Sequence, residues 1–479
     1  MNQYIRSISI FLILSAVLTH CKNPKDYNFL PALLKLKVPP AIKVNSAEEL
    51  ANASSEDYNE NRFGLITAST LNYWLSNWNV QKPAGITGKL ILFQIDSNST
   101  ANHQFIYVNP YRGVFGYLID SGYLNGSSTI FGQTRTNGLI ESEMIVPEGK
   151  VIDSFLSAYK VDPKNDLIVL VPNTSTEKDL TYTLRANYAL RYWGVSNRNI
   201  AVLNGSAKQN IDESLLPSLA AKNTDLGTAE ITSVSSLLTD NTILQATLGD
   251  VIHIIKNGNT NFQKVTPIPA QGVVFLDNRS STEFTPPNQN GQTDAPSGKT
   301  CSAGSGCKTP IDGHIRNAAN IPWNQLLVNT GASNYRFKTK VELTQLFSDA
   351  GISGNKHVIT YSRNATNDMI AFFVSNAILG YPTRVYNGSW LEWSSLAYDE
   401  ARVWTNLNFG SPWRTDQLTD SLTFTSNTNL IPRYSFTTTS AFAVSSNQAI
   451  DNDKDYIRGN APTPVSGGAS GGGGNACGG

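Results

Sequence analysis

Cysteine is scarce in this chain, with four among 479 residues: Cys21, Cys301, Cys307 and Cys477. So few thiols exclude a scaffold held together by a disulfide framework. Histidine is almost as rare, and His20, His103, His253, His314 and His357 show no paired spacing. No metal-ligand pattern and no Ser-His-Asp arrangement can therefore be assembled, and neither a metal nor a cofactor is expected. Charge is sparse too, with 37 Lys and Arg against 37 Asp and Glu, together 15% of the chain. A neutral balance without charge runs leaves no basic field to hold nucleic acid. Long apolar runs are missing beyond residues 8–18, and that run is too short to cross a bilayer comfortably.

What is present begins with that run. Arg6 precedes it, and Leu18-Thr19-His20-Cys21 follows, which reads as an export signal. The segment resembles a bacterial lipoprotein signal, in which the cysteine becomes the lipidated first residue, although His20 departs from the small residue usual before it. Residues 1–20 are then a signal peptide and Cys21 carries the lipid. The resemblance implies an exported lipoprotein anchored to a membrane, periplasmic or at the cell surface. An uncleaved apolar anchor stays open as the alternative. Residues 21–55 mix Pro, Lys and Asn and read as a tether, whereas residues 465–479 are Gly/Ser low complexity.

Between these ends the order of elements repeats. Strand 90–96 answers strand 273–277, and residues 119–126 answer 311–318. Strand 167–171, a helical stretch through Tyr192, Gly194 and residues 200–206 answer strand 358–361, its helix, Gly380 and residues 385–389. Strands alternating with helices imply parallel pairing through right-handed crossovers. The expected division is a first α/β domain over 56–210, a linker over 211–245, a second domain over 246–410 and an extension over 411–479, where regular pattern fades after Trp393. Residues 65–75 read as a helix capped by Ser69 or Thr70.

The stretch with chemical promise is Asn355-Lys-His-Val-Ile-Thr-Tyr-Ser-Arg-Asn-Ala-Thr-Asn-Asp368, a buried strand, a tight polar loop and a helix start. Residues 369–379 are almost wholly apolar, so they read as a core helix with Gly380 as its C-cap. Where a strand passes into a helix, loop amides and the helix dipole favour an anion. Ser362, Arg363, Asn364, Ala365, Thr366 and Asn367 are therefore the first candidate site. A plainer alternative stays open, in which the loop only caps the helix through Thr366 or Asn367. The matching loop of the first repeat, Pro172-Asn-Thr-Ser-Thr-Glu-Lys178, reads as longer and as a poorer cradle, since proline lacks an amide hydrogen.

Three further blocks accompany the loop: Gly272-Val-Val-Phe-Leu-Asp-Asn-Arg279, Gly313-His-Ile-Arg-Asn-Ala-Ala-Asn-Ile-Pro-Trp323 and Tyr386-Asn-Gly-Ser-Trp-Leu-Glu-Trp393. In this order the four resemble the second domain of tandem rhodaneses, the thiosulfate and mercaptopyruvate sulfurtransferases. The resemblance implies an α/β fold of two rhodanese-like domains, each a parallel sheet with helices on both faces, the first silent and the second bearing the site. It implies a small sulfur-containing anion as ligand, with Asp277 and Arg279 supporting the pocket. Arg279 in such a position makes a structural ion pair, and His314 is structural.

One residue departs from the family. Ser362 stands where the family has the cysteine that carries sulfur as a persulfide. A hydroxyl cannot carry sulfane sulfur and needs a neighbouring base to act as a nucleophile, which nothing in the loop supplies. Ala365 replaces the usual loop glycine, and a left-handed position disfavours alanine. Two readings remain. In one the protein binds an anion or sulfur compound with weak or no sulfur transfer; in the other it is an active sulfurtransferase or thiol-exchange enzyme using Cys301 or Cys307. Those cysteines bracket Ser-Ala-Gly-Ser-Gly in a Pro/Gly/Asn/Ser/Thr-rich insertion over 284–310, and export permits them a disulfide.

Overall fold

The computed structural model describes residues 40–52, 64–97, 104–120, 130–136, 141–174, 176–219, 221–256, 272–285, 313–329, 335–393 and 448–460. The expected signal, Cys21, Cys301, Cys307, Cys477, most of the tether and of the insertion, and the Gly/Ser tail lie outside the described residues. Both main sheets fall within one compact unit.

The first sheet holds β1 (Gly64–Ile66), β2 (Leu90–Ile95), β3 (Val114–Ile119), β4 (Leu167–Pro172) and β5 (Ile200–Leu203), in the spatial order β1-β5-β4-β2-β3. The second holds β6 (Gln245–Ala246), β7 (Val273–Asp277), β8 (Ala318–Asn320), β9 (His357–Tyr361) and β10 (Thr383–Tyr386), in the order β6-β10-β9-β7-β8. Every pairing in both is parallel. The two orders are the same when each sheet is counted along the chain, so the repeat seen in the sequence is a repeat of topology.

Helices cover both faces because the strands are apolar on both sides. Leu90 and Leu92 of β2 share one core with Leu71, Trp74 and Trp78, the first two of them on α1 (Ala68–Ser76). Ile91, Phe93 and Ile95, pointing the opposite way, share another with Phe155 on α2 (Gly149–Ala158) and Leu184 on α3 (Glu177–Tyr192). This second core runs on into the second repeat, which also has α4 (Leu248–Lys256), α5 (Lys340–Asp349) and α6 (Asp368–Phe373). Tyr188 on α3 meets Phe372 on α6 edge to face, with ring centroids 5.2 Å apart. The repeats are thus joined through helices that each follow a central strand.

Several expectations change. Leu65 and Ile66 lie in β1, and the cap of α1 is Thr67, whose side chain accepts from the Thr70 amide, in place of Ser69 or Thr70. The first-repeat loop is shorter than that of the second, four residues (173–176) against six (362–367). One edge strand of each sheet is Val114–Ile119 and Ala318–Asn320 respectively, and most of the expected match of 119–126 with 311–318 lies outside the described residues. The apolar helix expected over 369–379 starts at Asp368 and widens into a π-helical turn over Val374–Ile378, before Gly380 turns left-handed at φ 75°.

Pattern also returns after Trp393, as α7 (Gln448–Ile457), which docks on the first repeat. Asp453 accepts from Arg135 Nη1 and Nη2 at 3.0 and 2.7 Å and from the Tyr192 hydroxyl at 2.8 Å. The approach is close, since a Cβ at Gly149 would lie 2.3 Å from the Tyr456 ring. Its polar sequence hid the helix, because an acid that is buried only by a distant arginine looks exposed in a linear reading.

Candidate functional site

Parallel register assembles the site. Asp277 at the end of β7 lies beside Tyr361 at the end of β9, so the residues that follow the two strands leave the sheet at the same level. Arg279 turns back onto Asp277, with Nε and Nη2 donating to its two carboxylate oxygens at 3.1 and 2.6 Å. It also donates to the Gly313 carbonyl at 2.6 Å and lies 4.4 Å from the Trp390 ring centroid. Burial would lower the guanidinium pKa, but the Asp277 charge outweighs it and the net shift is upward. Asp277 and Arg279 thus form a buried ion pair, in which Arg279 also reaches the cavity lining. His314 is likewise structural: its Nδ1 meets the Phe284 carbonyl at 2.8 Å and its ring stacks on Phe284 at 3.8 Å.

Loop 362–367 is held from below. Ser389 Oγ accepts from the Ala365 amide at 3.0 Å and the Ser362 amide at 3.4 Å, and donates to the Tyr386 carbonyl at 3.0 Å. The Trp390 and Leu391 amides donate to the Ser362 and Arg363 carbonyls at 3.0 and 2.9 Å. Arg185, reaching across from α3 of the first repeat, donates to the Ala365 carbonyl at 2.5 Å, to the Met144 carbonyl at 2.5 Å and to the Phe131 carbonyl. Ala365 itself is left-handed at φ 57°, the backbone shape that glycine would take without steric cost. The loop keeps that shape because two segments grip it, residues 389–391 and Arg185 of α3.

The side chains of the loop are spoken for. Ser362 donates its hydroxyl to Asp368 Oδ1 at 2.9 Å, and the Thr366 hydroxyl donates to Asn364 Oδ1. Arg363 pairs with Glu283 at 2.5 Å, and Asn367 Nδ2 donates to Glu177 Oε1, on the first repeat, at 2.7 Å. The capping alternative is corrected by this geometry, for Asn367 is the N-cap of α6 yet makes no side-chain cap bond. Arg363, a candidate residue of the binding loop, has its charge met by Glu283.

Above the loop lies a cavity of about 600 Å³ whose lining includes Ser362, Arg363, Asn364, Thr366 and Asn367, together with Arg279, Glu283 and Glu177. No histidine lines it. His357 is a core residue of β9, and burial, with Arg384 nearby, pushes its pKa down to about 3. The Asp368 carboxyl moves the other way. Burial raises it to about 7 against the pull of the Ser362 hydrogen bond and the Arg185 charge, and its Oδ2 has no hydrogen-bond partner among the described residues. Burial would raise Glu283 as well, but Arg363 and Arg279 outweigh it and hold the carboxyl below its usual range. Such a site can hold or share a proton at Ser362 and can orient a polar ligand; among the described residues its lining has no sulfur atom to load.

Asp368, Arg185, Glu283 and Glu177 escaped the sequence reading. Asp368 had a signal: an acid follows the first loop residue by six positions in both repeats, Asn173 to Asp179 and Ser362 to Asp368. In the first repeat the acid closes its own loop, accepting from the Thr174 amide and hydroxyl at 2.9 and 2.5 Å. Arg185 and Glu177 had no signal, since only packing brings the first repeat to the second repeat's loop.

Residues 265–396 match the family model of the rhodanese-like domain. A Haloferax volcanii protein named as a thiosulfate sulfurtransferase is 35% identical over 127 residues, 26% of this chain and 39% of that protein. The sulfur carrier protein TtuD of Thermus thermophilus is 39% identical over 85 residues, 18% of this chain and 28% of that protein. The matched stretches thus span well under two thirds of those relatives' own length. Among solved structures, the Tum1 protein of Saccharomyces cerevisiae aligns over 69% of this chain and 94% of its own, at 15% identity and a TM-score of 0.47. The 3-mercaptopyruvate sulfurtransferase SseA of Escherichia coli aligns over 69% and 99%, at 17% identity and 0.41. The strand order, rather than these two likenesses, establishes the fold.

Proposed function

From a chain that resembles the rhodanese and thiosulfate sulfurtransferase family, with its rhodanese-like domain at residues 265–396, we propose a membrane-anchored protein that binds a small sulfur compound and transfers sulfur weakly or not at all. Ser362 answers to the sulfur-carrying cysteine of the family. The observation that carries the reading is the Ser362 hydroxyl, on the cavity wall and committed to Asp368 at 2.9 Å. Persulfide formation needs a thiolate at this point, and the site supplies a hydroxyl beside a carboxyl. The loop, its supports and the cavity are all present, which favours retained binding over loss of the site. Lipidation at Cys21 would provide the anchor and an exported location.

The test is a thiosulfate to cyanide transfer assay on the full chain in detergent, beside Ser362→Ala. Equal, background thiocyanate formation from both supports binding without transfer. Transfer that survives Ser362→Ala and vanishes when Cys301 or Cys307 is replaced would establish the enzymatic alternative.

A further inference from the structure

Among the described residues the cavity lining has two acids, Glu177 and Glu283, against two arginines, Arg279 and Arg363. Both of its arginines are already neutralised, Arg279 by Asp277 through bonds of 3.1 and 2.6 Å and Arg363 by Glu283 at 2.5 Å. Glu177 is different. Its Oε1 accepts from Asn367 at 2.7 Å, but it has no cationic partner among the described residues. Burial raises its pKa and only that one hydrogen bond opposes the shift. Among the described residues the lining therefore has one uncompensated carboxylate and no uncompensated cation.

A small dianion entering this space meets arginines whose charge is spent and a carboxylate that repels it. A ligand bearing an ammonium group meets the reverse situation, since a partly desolvated carboxylate is costly until it is paired. Position matters as much as sign. Glu177 is the first residue of α3 and belongs to the repeat without the 362–367 loop, yet it is tied to that loop through Asn367. A molecule lying with its sulfur end near Ser362 can therefore set a second, basic group against Glu177, beside Asn367 at the other end of the loop.

Resting on the sulfur-compound reading above, we propose that the cavity takes a zwitterion, a small sulfur compound whose anionic sulfur end faces loop 362–367 and whose ammonium pairs with Glu177. Glu177 is then the specificity-determining residue, supplied by the repeat that the sequence marks as silent.

Three probes separate the possibilities: inorganic thiosulfate, S-ethyl thiosulfate and S-(2-aminoethyl) thiosulfate, which share the sulfur end and differ in charge. Titration calorimetry on the full chain in detergent should give at least about tenfold tighter binding for the aminoethyl compound than for the ethyl compound. In Glu177→Gln, which keeps an oxygen for Asn367, that ratio should fall to near one. Equal binding of the two alkyl probes to the wild type, or a ratio unchanged in Glu177→Gln, overturns the zwitterion proposal and leaves sulfur-compound binding standing. If none of the three probes binds, the sulfur-compound reading fails and the proposal fails with it. The comparison of probes on the wild type needs no variant, so a misfolded Glu177→Gln does not blunt it.

Discussion

The hydroxyl of Ser362 points at Oδ1 of Asp368 across 2.9 Å, and both residues are almost fully buried, at 2% and 0% exposure. At the end of β9, where the family resemblance places sulfur chemistry, the chain instead has a hydroxyl–carboxyl pair. The pair is local in sequence but its energetics are set by burial.

Asp368 should govern part of the pH dependence of stability. Its folded pKa is about 7 against an ordinary 3.8. Between those values the folded protein holds a proton that the unfolded chain has released. Stability therefore falls as pH rises through this window, by about 1.4 kcal/mol per unit, and the loss is complete above the folded pKa. Asp368→Asn removes the titrating group, so its stability relative to wild type should grow from about pH 5 to about pH 8. Urea unfolding across that range checks this, and parallel curves for the two proteins would refute it.

Ser362→Cys should form a persulfide from thiosulfate, slowly. The thiolate attacks the sulfane sulfur, the sulfur–sulfur bond of thiosulfate breaks and sulfite leaves with the electron pair. An ionised Asp368 beside the new thiol disfavours the thiolate, so Ser362→Cys/Asp368→Asn should load faster. Intact-protein mass spectrometry reads the added sulfur, and cyanide should remove it as thiocyanate. Absence of loading in both variants would mean that the loop, with Ala365 at its left-handed position, no longer forms a cradle.

Arg185 should be worth more than a single contact. It is buried and satisfies the carbonyls of Phe131 and Met144 in its own repeat and of Ala365 in the other. Arg185→Met leaves three carbonyls without their donor and should cost at least about 3 kcal/mol. Denaturant unfolding gives the figure, and hydrogen exchange at the Ala365 amide should quicken beyond what global unfolding explains. Unchanged exchange there would show that Ser389 alone holds the loop.

Location has its own test. Under the proposed lipidation, acyl chains on Cys21 would contribute about 0.8 kcal/mol per buried CH₂ to membrane binding, so Cys21→Ala should move the protein from the membrane fraction to the supernatant or block its processing. An unchanged membrane fraction would favour the uncleaved apolar segment as the anchor.

The sequence by itself determined the two α/β repeats, because strands buried on both faces read as near-continuous apolar runs, and Leu90–Ile95, Leu167–Pro172 and His357–Tyr361 are such runs, broken only by Gln94, His357 and Thr360. It also determined the absence of a thiol at position 362, whereas the partner of Arg279 emerged as Asp277 only in the structure. Only the tertiary structure decided the electrostatics of the site. Glu283 neutralises Arg363 from 80 positions away, Arg185 holds Ala365 from 180, and Glu177 meets Asn367 from 190. Charge compensation depends on distance in space and on exclusion of water, and neither is written in the order of residues along a chain.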